Sequence, residues 1–231
     1  MGYTSLSRRQ FLRCTPVAAL SFAGCLSAST PATETTQTAQ TTKATQTTAK
    51  SVDASSLAAH ASVVSQGTAA HPPIVQLGVT NTGIEPVPLR PYHTSNSAAV
   101  LEYSSELDGA TGKLTLYPTS PEHLFTTNGE LAESQTDGCW RFLTTDGETP
   151  RVAWESIAVQ LELAPSESHS VKHALYTTGQ DGPCYPAGEY QTYYRVSLSE
   201  LDSAGPTKLL TYTLSLDDSG TVSIGAVEPT E

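Results

Sequence analysis

The feature that most constrains the fold is a change in the texture of the chain at Pro73. From there on, short runs rich in Val, Leu, Tyr and Thr alternate with clusters of Gly, Pro, Asn and Asp. That is the rhythm of short strands and tight turns in an antiparallel β-sandwich. Strands are expected at 74–80, 86–91, 99–104, 113–117, 140–144, 157–163, 169–176, 189–198, 208–216 and 221–227. No segment keeps the helical period long enough to make a core helix. The turns are supplied by Asn81-Thr82-Gly83, Asp108-Gly109, Asp146-Gly147 and Asp217-Asp218-Ser219-Gly220, residue types that tolerate positive φ or cap their own backbone. The fold class expected is all-β.

Ahead of this domain, residues 25–60 are dominated by Thr, Ser, Ala and Gln, with few large apolar side chains. Such a segment cannot bury enough surface to offset its ordering entropy, so a disordered Thr-rich tether is expected, open to O-glycosylation. As a coil of about 30 residues it would reach roughly 30 Å. A short helix within 52–61 is compatible with the text. The sandwich domain is assigned to 61–231.

Residues 1–24 read differently again. Ser7-Arg8-Arg9-Gln10-Phe11-Leu12-Arg13 precedes a weakly apolar run over 17–23 that is too short to span a bilayer. It resembles a twin-arginine export signal, with Arg8 and Arg9 as the paired cations. Phe22-Ala23-Gly24-Cys25 resembles a lipobox, which implies cleavage before Cys25 and a lipid on its thiol. The alternatives are an apolar helix that stays attached and a plain secretory cut that leaves Cys25 free. A lipid on Cys25 makes the membrane a partner and places the protein outside the cytoplasm, on the outer face of the cytoplasmic membrane.

Charge and cysteine bear on the same question. The formal net charge is −11, and it becomes more negative once Arg8, Arg9 and Arg13 leave. From residue 60 onward the lysines are Lys113, Lys172 and Lys208. Nucleic acid and anionic headgroups are poor partners for such a surface, because both are bound through clustered Lys and Arg. The acidic, lysine-poor composition resembles that of proteins from salt-loving archaea, where strong salt screens self-repulsion; an ordinary acidic secreted protein is the alternative. With Cys14 in the segment to be removed and Cys25 lipidated, Cys139 and Cys184 remain as one pair. A disulfide between them is expected in an exported chain.

A family pattern runs through the domain. Val79-Thr80-Asn81-Thr82-Gly83 is followed by Pro86-Val87-Pro88-Leu89. Trp140-Arg141, then Leu163-Ala164-Pro165-Ser166-Glu167-Ser168, and finally Pro186-Ala187-Gly188-Glu189-Tyr190 come after it. In this order the set resembles the immunoglobulin-like sandwiches of bacterial intracellular proteinase inhibitors and of haloarchaeal surface lipoproteins. The resemblance implies an immunoglobulin-like fold. In antibody domains the corner tyrosine precedes the second cysteine, whereas Tyr190 follows Cys184. The Cys139–Cys184 bond is therefore expected to tie the start of a strand, after Asp137-Gly138, to the loop before Gly188. On the chain-entropy description, closing that loop stabilises by roughly 4 kcal/mol.

Catalytic and metal chemistry finds little support. His169 and His173 would share a face on a helix and suit zinc, but the segment reads as a strand, where they stand about 13 Å apart; surface histidines are expected. Cys184 is followed by Tyr-Pro-Ala-Gly and the single Met is Met1, so a blue-copper site is not expected. Asp218-Ser219-Gly220-Thr221 resembles the active-site loop of aspartic proteases, yet it occurs once and lies between two alternating strands, where a hairpin turn is expected. No cofactor, metal or catalytic residue is assigned. Tyr176, Tyr185, Tyr190, Tyr193 and Tyr194 are expected to alternate between core and sheet face, and a tyrosine binding surface is the other reading. Glu130, Glu133 and Asp137 in one loop are candidates for holding a hard cation. The function expected is a non-catalytic, lipid-anchored domain for protein-protein interaction with a partner in the cell envelope, or for envelope structure. A surface hydrolase or hydrolase inhibitor is the alternative.

Overall fold

The computed structural model describes residues 54–92, 100–102, 105–109, 112–155, 159–199 and 205–225. A 3-10 turn at Ala54–Ser56 opens the described part. The strands that follow are β1 (Leu57–Ser65), β2 (Ile74–Asn81), β3 (Val87–Pro91), β4 (Ser105–Gly109), β5 (Gly112–Pro118) and β6 (Leu124–Thr126). After them come β7 (Val152–Trp154), β8 (Leu161–Leu163), β9 (Ser168–Thr177), β10 (Gly188–Ser197), β11 (Thr207–Leu216) and β12 (Val222–Ile224). The hydrogen-bonded path runs β1-β2-β9-β5-β4 and then β10-β11-β12. It folds over at β4, which joins β10 only through Tyr190↔Gly109 and Gln191↔Asp108. Further along, β3 takes the same edge of β10 and β8 pairs β3.

Alternation explains which faces meet. Val75, Leu77 and Val79 of β2 are fully buried, as are Tyr190, Tyr194 and Val196 of β10 and Leu210, Tyr212 and Leu214 of β11. Residues two apart on a strand share a face, so each strand presents an apolar row to one core. The phenol of Tyr212 donates to Gly78 O across that core at 2.9 Å, tying β11 to β2. Tyr194 meets Tyr212 edge-on, with ring centroids 5.8 Å apart, a favoured aromatic geometry. Tyr190 donates to Pro186 O at 2.6 Å from a buried position, the bond that defines a tyrosine corner in immunoglobulin-like sandwiches.

A second, smaller core lies on the outer side of β5 and β9. Tyr117, Ala174 and Tyr176 point away from the first core and are covered by Leu124, Trp140 and Phe142. The covering residues come from the chain between β5 and β8, where β6 and β7 form a separate two-stranded ladder. Both faces are thereby buried over much of β5 and in the C-terminal half of β9.

Several expectations are corrected. Within 52–61 the 3-10 turn at Ala54–Ser56 leads directly into a strand, and β1 crosses the expected boundary at residue 60. Its pairing with β2 over the whole of its length, with Leu57 in the core, overrides the weak local preference of Ala-rich text. Val100 and Leu101 form a buried turn where a strand was expected, Leu101 having φ 64°. Asp108-Gly109 belong to β4, and the chain reverses after Gly109, which pairs with Gly112. Residues 140–144 make isolated bridges only. Of the described residues in 157–163, the strand holds Leu161–Leu163, and residues 157–158 lie outside the described part. The expected strand at 221–227 is β12, and its last two residues lie outside the described part.

Candidate functional site

The site is built where the β1–β2 connection meets the excursion between β5 and β8. Thr68 shapes that connection: its hydroxyl accepts from Ala70 N at 3.1 Å and His71 N at 3.3 Å, a local turn of the kind Ser and Thr favour. Its carbonyl accepts from Trp140 Nε1 at 2.8 Å and from Gln135 Nε2 at 3.2 Å. Trp140 is further pinned by its backbone, since Thr177 N donates to Trp140 O and Phe142 N to Thr177 O, both at 2.9 Å. Trp140 is thus held by the β1–β2 connection through its indole and by β9 through its backbone.

The loop before β10 closes the other side. Cys139 and Cys184 are disulfide-bonded, with Cα atoms 5.5 Å apart, where the sequence placed the pair. Cys139 follows the positive-φ residues Asp137 and Gly138 and is buried, while Cys184 is exposed. Arg141 reaches the same loop, donating to Gly179 O, Asp181 O and Gly182 O at 3.3, 3.4 and 2.9 Å. Tyr185 is held by Tyr185 N→Thr177 Oγ1 at 3.1 Å and by its phenol donating to Leu175 O at 2.8 Å. Burial, with Tyr176 adding to it, raises the Tyr185 phenol far above the ordinary tyrosine range, so it stays neutral and remains a donor.

Two clefts flank Trp140. One, of about 520 Å³, lies between residues 70–72 and 130–133 and has Trp140 and Tyr176 in its lining. The other, of about 320 Å³, lies between residues 66–68, Cys184, Tyr185 and the turn at 218–221. Glu130 and Glu133 line the first and Asp218 the second, and no Lys or Arg lines either.

The candidate residues fall as follows. Arg8, Arg9 and Cys25 lie outside the described residues. Glu130 and Glu133 share a cleft that Asp137 does not line. Among the described residues, no group of three or more His, Cys, Asp or Glu is placed to hold a metal ion. Ser219 donates to Asp217 Oδ1 from both N and Oγ, at 2.8 and 2.6 Å, inside a hairpin turn between β11 and β12. These bonds, the hydroxyl first, lower the Asp217 carboxyl below the usual range. Tyr190 and Tyr194 are core residues and Tyr193 is half exposed, as alternation predicts.

His173 is the clear departure from a surface histidine: it is fully buried. Its ring nitrogens lie 3.0 Å from Leu101 O and 3.2 Å from Val171 O. A neutral ring carries one N–H, so one of the two contacts at a time is a hydrogen bond. Burial lowers its pKa to about 4, partly offset by the two carbonyls. His169 contacts the preceding carbonyl, Val100 O, at 3.0 Å. The two histidines thus hold the 100–101 turn and make no metal pair.

Sequence reasoning missed Thr68, His71 and the cleft role of Trp140. The available signal was Thr68 followed by His71-Pro72-Pro73, a turn with a preset backbone. No family model matches the chain, no curated protein matches it, and no solved structure matches it.

Proposed function

We propose that this chain is a non-catalytic, extracytoplasmic, immunoglobulin-like module that is anchored by a lipid on Cys25 and binds a protein of the cell envelope through the clefts beside Trp140. The observation that carries this reading is the polarity of β1. The chain enters the fold at Ser56, whose carbonyl accepts from Thr82 N at 2.6 Å. The clefts begin at Gln66, just past the other end of β1. A strand of that length separates the two by about 30 Å. The chain thus enters the domain at the end of β1 opposite the clefts.

Three further facts support the reading. The paired Arg8 and Arg9 and the Ala23-Gly24-Cys25 sequence stand at the spacing of export and lipidation. The disulfide suits an oxidising compartment. Beside the second cleft the Ser219 hydroxyl is taken up by its bond to Asp217 within the β11–β12 hairpin turn.

Mass spectrometry of the mature N-terminus tests the anchor. A lipid-modified Cys25 as first residue is expected, with Cys25→Ser released from the membrane fraction; an intact Met1 would remove the anchor. Affinity capture with the full chain from envelope extract in strong salt tests the interaction. One stoichiometric protein partner is expected, and turnover of a substrate with no partner captured would contradict the reading.

A further inference from the structure

We infer that the outer edge of β1 pairs antiparallel with the same edge of a second copy of this chain, about a two-fold axis at His60. This surface is separate from the clefts and goes beyond the interaction proposed above. β1 is bonded on one side only: it ends the strand path, with β2 as its partner. Thr82 N donates to Ser56 O, whereas Asn81 N donates to Glu167 O and Asn81 O accepts from Ser166 N. Asn81 thus turns both backbone groups toward β9, and Leu57, which lies opposite it in the ladder, receives no bond from β2. Bonded and non-bonded pairs alternate along an antiparallel ladder. Leu57, Ala59, Ala61 and Val63 accordingly point their N–H and C=O groups away from β2, and among the described residues nothing takes them up.

The side chains leave this edge open. β1 has no Asp, Glu, Lys, Arg or Pro, the residues that commonly keep an edge from pairing. Ala58 and Ser62 are small and exposed. The His60 ring lies over Gly78 of β2, where an added Cβ would collide with it, and so leans away from the edge. The irregularity in the ladder falls after Val63, which keeps the stretch from Leu57 to Val63 regular. The facing sheet treats its own edge differently. Gln66 donates to Val222 O at 2.8 Å and accepts from Val222 N at 2.9 Å, so a side chain caps β12 where β1 has no such cap.

Charge and register select the occupant. The chain carries a formal net charge of −11, so two copies repel over most of their surface, and β1 is a neutral strip along which they can meet. The strip is also self-complementary. An axis at His60 sets Leu57 opposite Val63 of the second copy and Ala59 opposite its Ala61, so every outward-pointing residue of both strands falls at a hydrogen-bonded position. About eight interstrand bonds would form. On the outer face Ala58 meets Ser62, and each His60 ring stays drawn back over its own Gly78. Ala59, Ala61 and Val63, half-buried in one copy, gain cover from the other. A foreign strand would find the same backbone groups but no side-chain pockets to choose it. A contact of one edge with itself is isologous and closes at a dimer.

The test uses the full mature chain with Cys25→Ser, so that no lipid gathers copies in a micelle. Sedimentation should show monomer and dimer exchanging with concentration. Ala59→Pro removes an outward N–H and leaves the bonds to β2 in place; it should weaken the dimer by about tenfold or more with the circular-dichroism spectrum unchanged. His60→Cys puts two thiols at the axis and should give a disulfide-linked dimer on mild oxidation. Ala58→Cys puts them about 13 Å apart and should not. A chain still monomeric at about 1 mM, a dimer that Ala59→Pro leaves intact, or equal crosslinking from positions 58 and 60 would overturn the inference. The first of these results would leave the edge to a strand of another protein.

Discussion

The sandwich core and the excursion between β5 and β8 are built on different principles. In the sandwich, alternating apolar residues form rows along the strands, and the row of β2 faces those of the neighbouring strands β10 and β11. In the excursion, short bridges, one two-stranded ladder, a disulfide and a forked arginine hold the buried side chains of Leu124, Trp140 and Phe142 onto the outside of β5 and β9. The first region stabilises itself by burial, and the second is attached by discrete bonds. Discrete bonds allow a surface to be shaped into clefts without disturbing the core beneath it.

Perturbations should therefore separate the two regions. The largest effect is expected from Tyr212→Ala, which removes an aromatic from the sandwich core together with the bond its phenol gives to Gly78 O. Together these cost about 5 kcal/mol, and denaturant unfolding should show both regions lost in one transition. A clean loss of the sandwich with the excursion still protected would break the comparison.

Cys139→Ser should cost at most about 4 kcal/mol, and the loss should be local. Hydrogen exchange is expected to rise across 119–155 and 178–187, while β2, β10 and β11 keep their protection. Uniform exchange throughout the domain would mean that the excursion is part of the sandwich's own stability.

Acid should act on the sandwich, through the histidine beneath the 100–101 turn. His173 has a folded pKa lowered by burial to about 4 from 6.5, so the unfolded chain takes up the proton first. Its contribution is fully present above the unfolded value and is lost as pH falls from about 6.5 toward about 4, by about 3 kcal/mol at most. Melting temperatures across this window should fall more steeply for the natural chain than for His173→Gln, and parallel profiles would contradict the burial argument.

The smallest effect is expected from Trp140→Phe. It removes the bond to Thr68 O at a cost of about 1 kcal/mol and should loosen the 66–73 connection with the sandwich intact, as hydrogen exchange would show. A change in the exchange of β10 and β11 would argue that the indole supports the core itself.

The same contrast decides what the sequence revealed. β2, β9, β10 and β11 were legible because Tyr190, Tyr194, Val196 and their counterparts repeat every second residue, the signature of one buried face. The disulfide followed from cysteine count. β1 was hidden because Ala58, Ala59 and Ala61 give little apolar contrast and its place is set by β2. Trp140 and Phe142 imitate a strand by alternation, although the period comes from the sheet they cover. His173 looked like a surface residue because its strand is polar at its start and buried at its end. The clefts were not legible, since Thr68, His71, Glu130 and Trp140 come from separate stretches that only the fold brings together.

The account turns on which end of the domain meets a partner. A photo-reactive residue at Glu133, beside the larger cleft, and another at Ile84, an exposed residue in the turn after β2 near Ser56, allow the two ends to be compared in intact cells. Crosslinking to one envelope protein from position 133 and not from position 84 is the result predicted. Crosslinks from position 84 alone would contradict it.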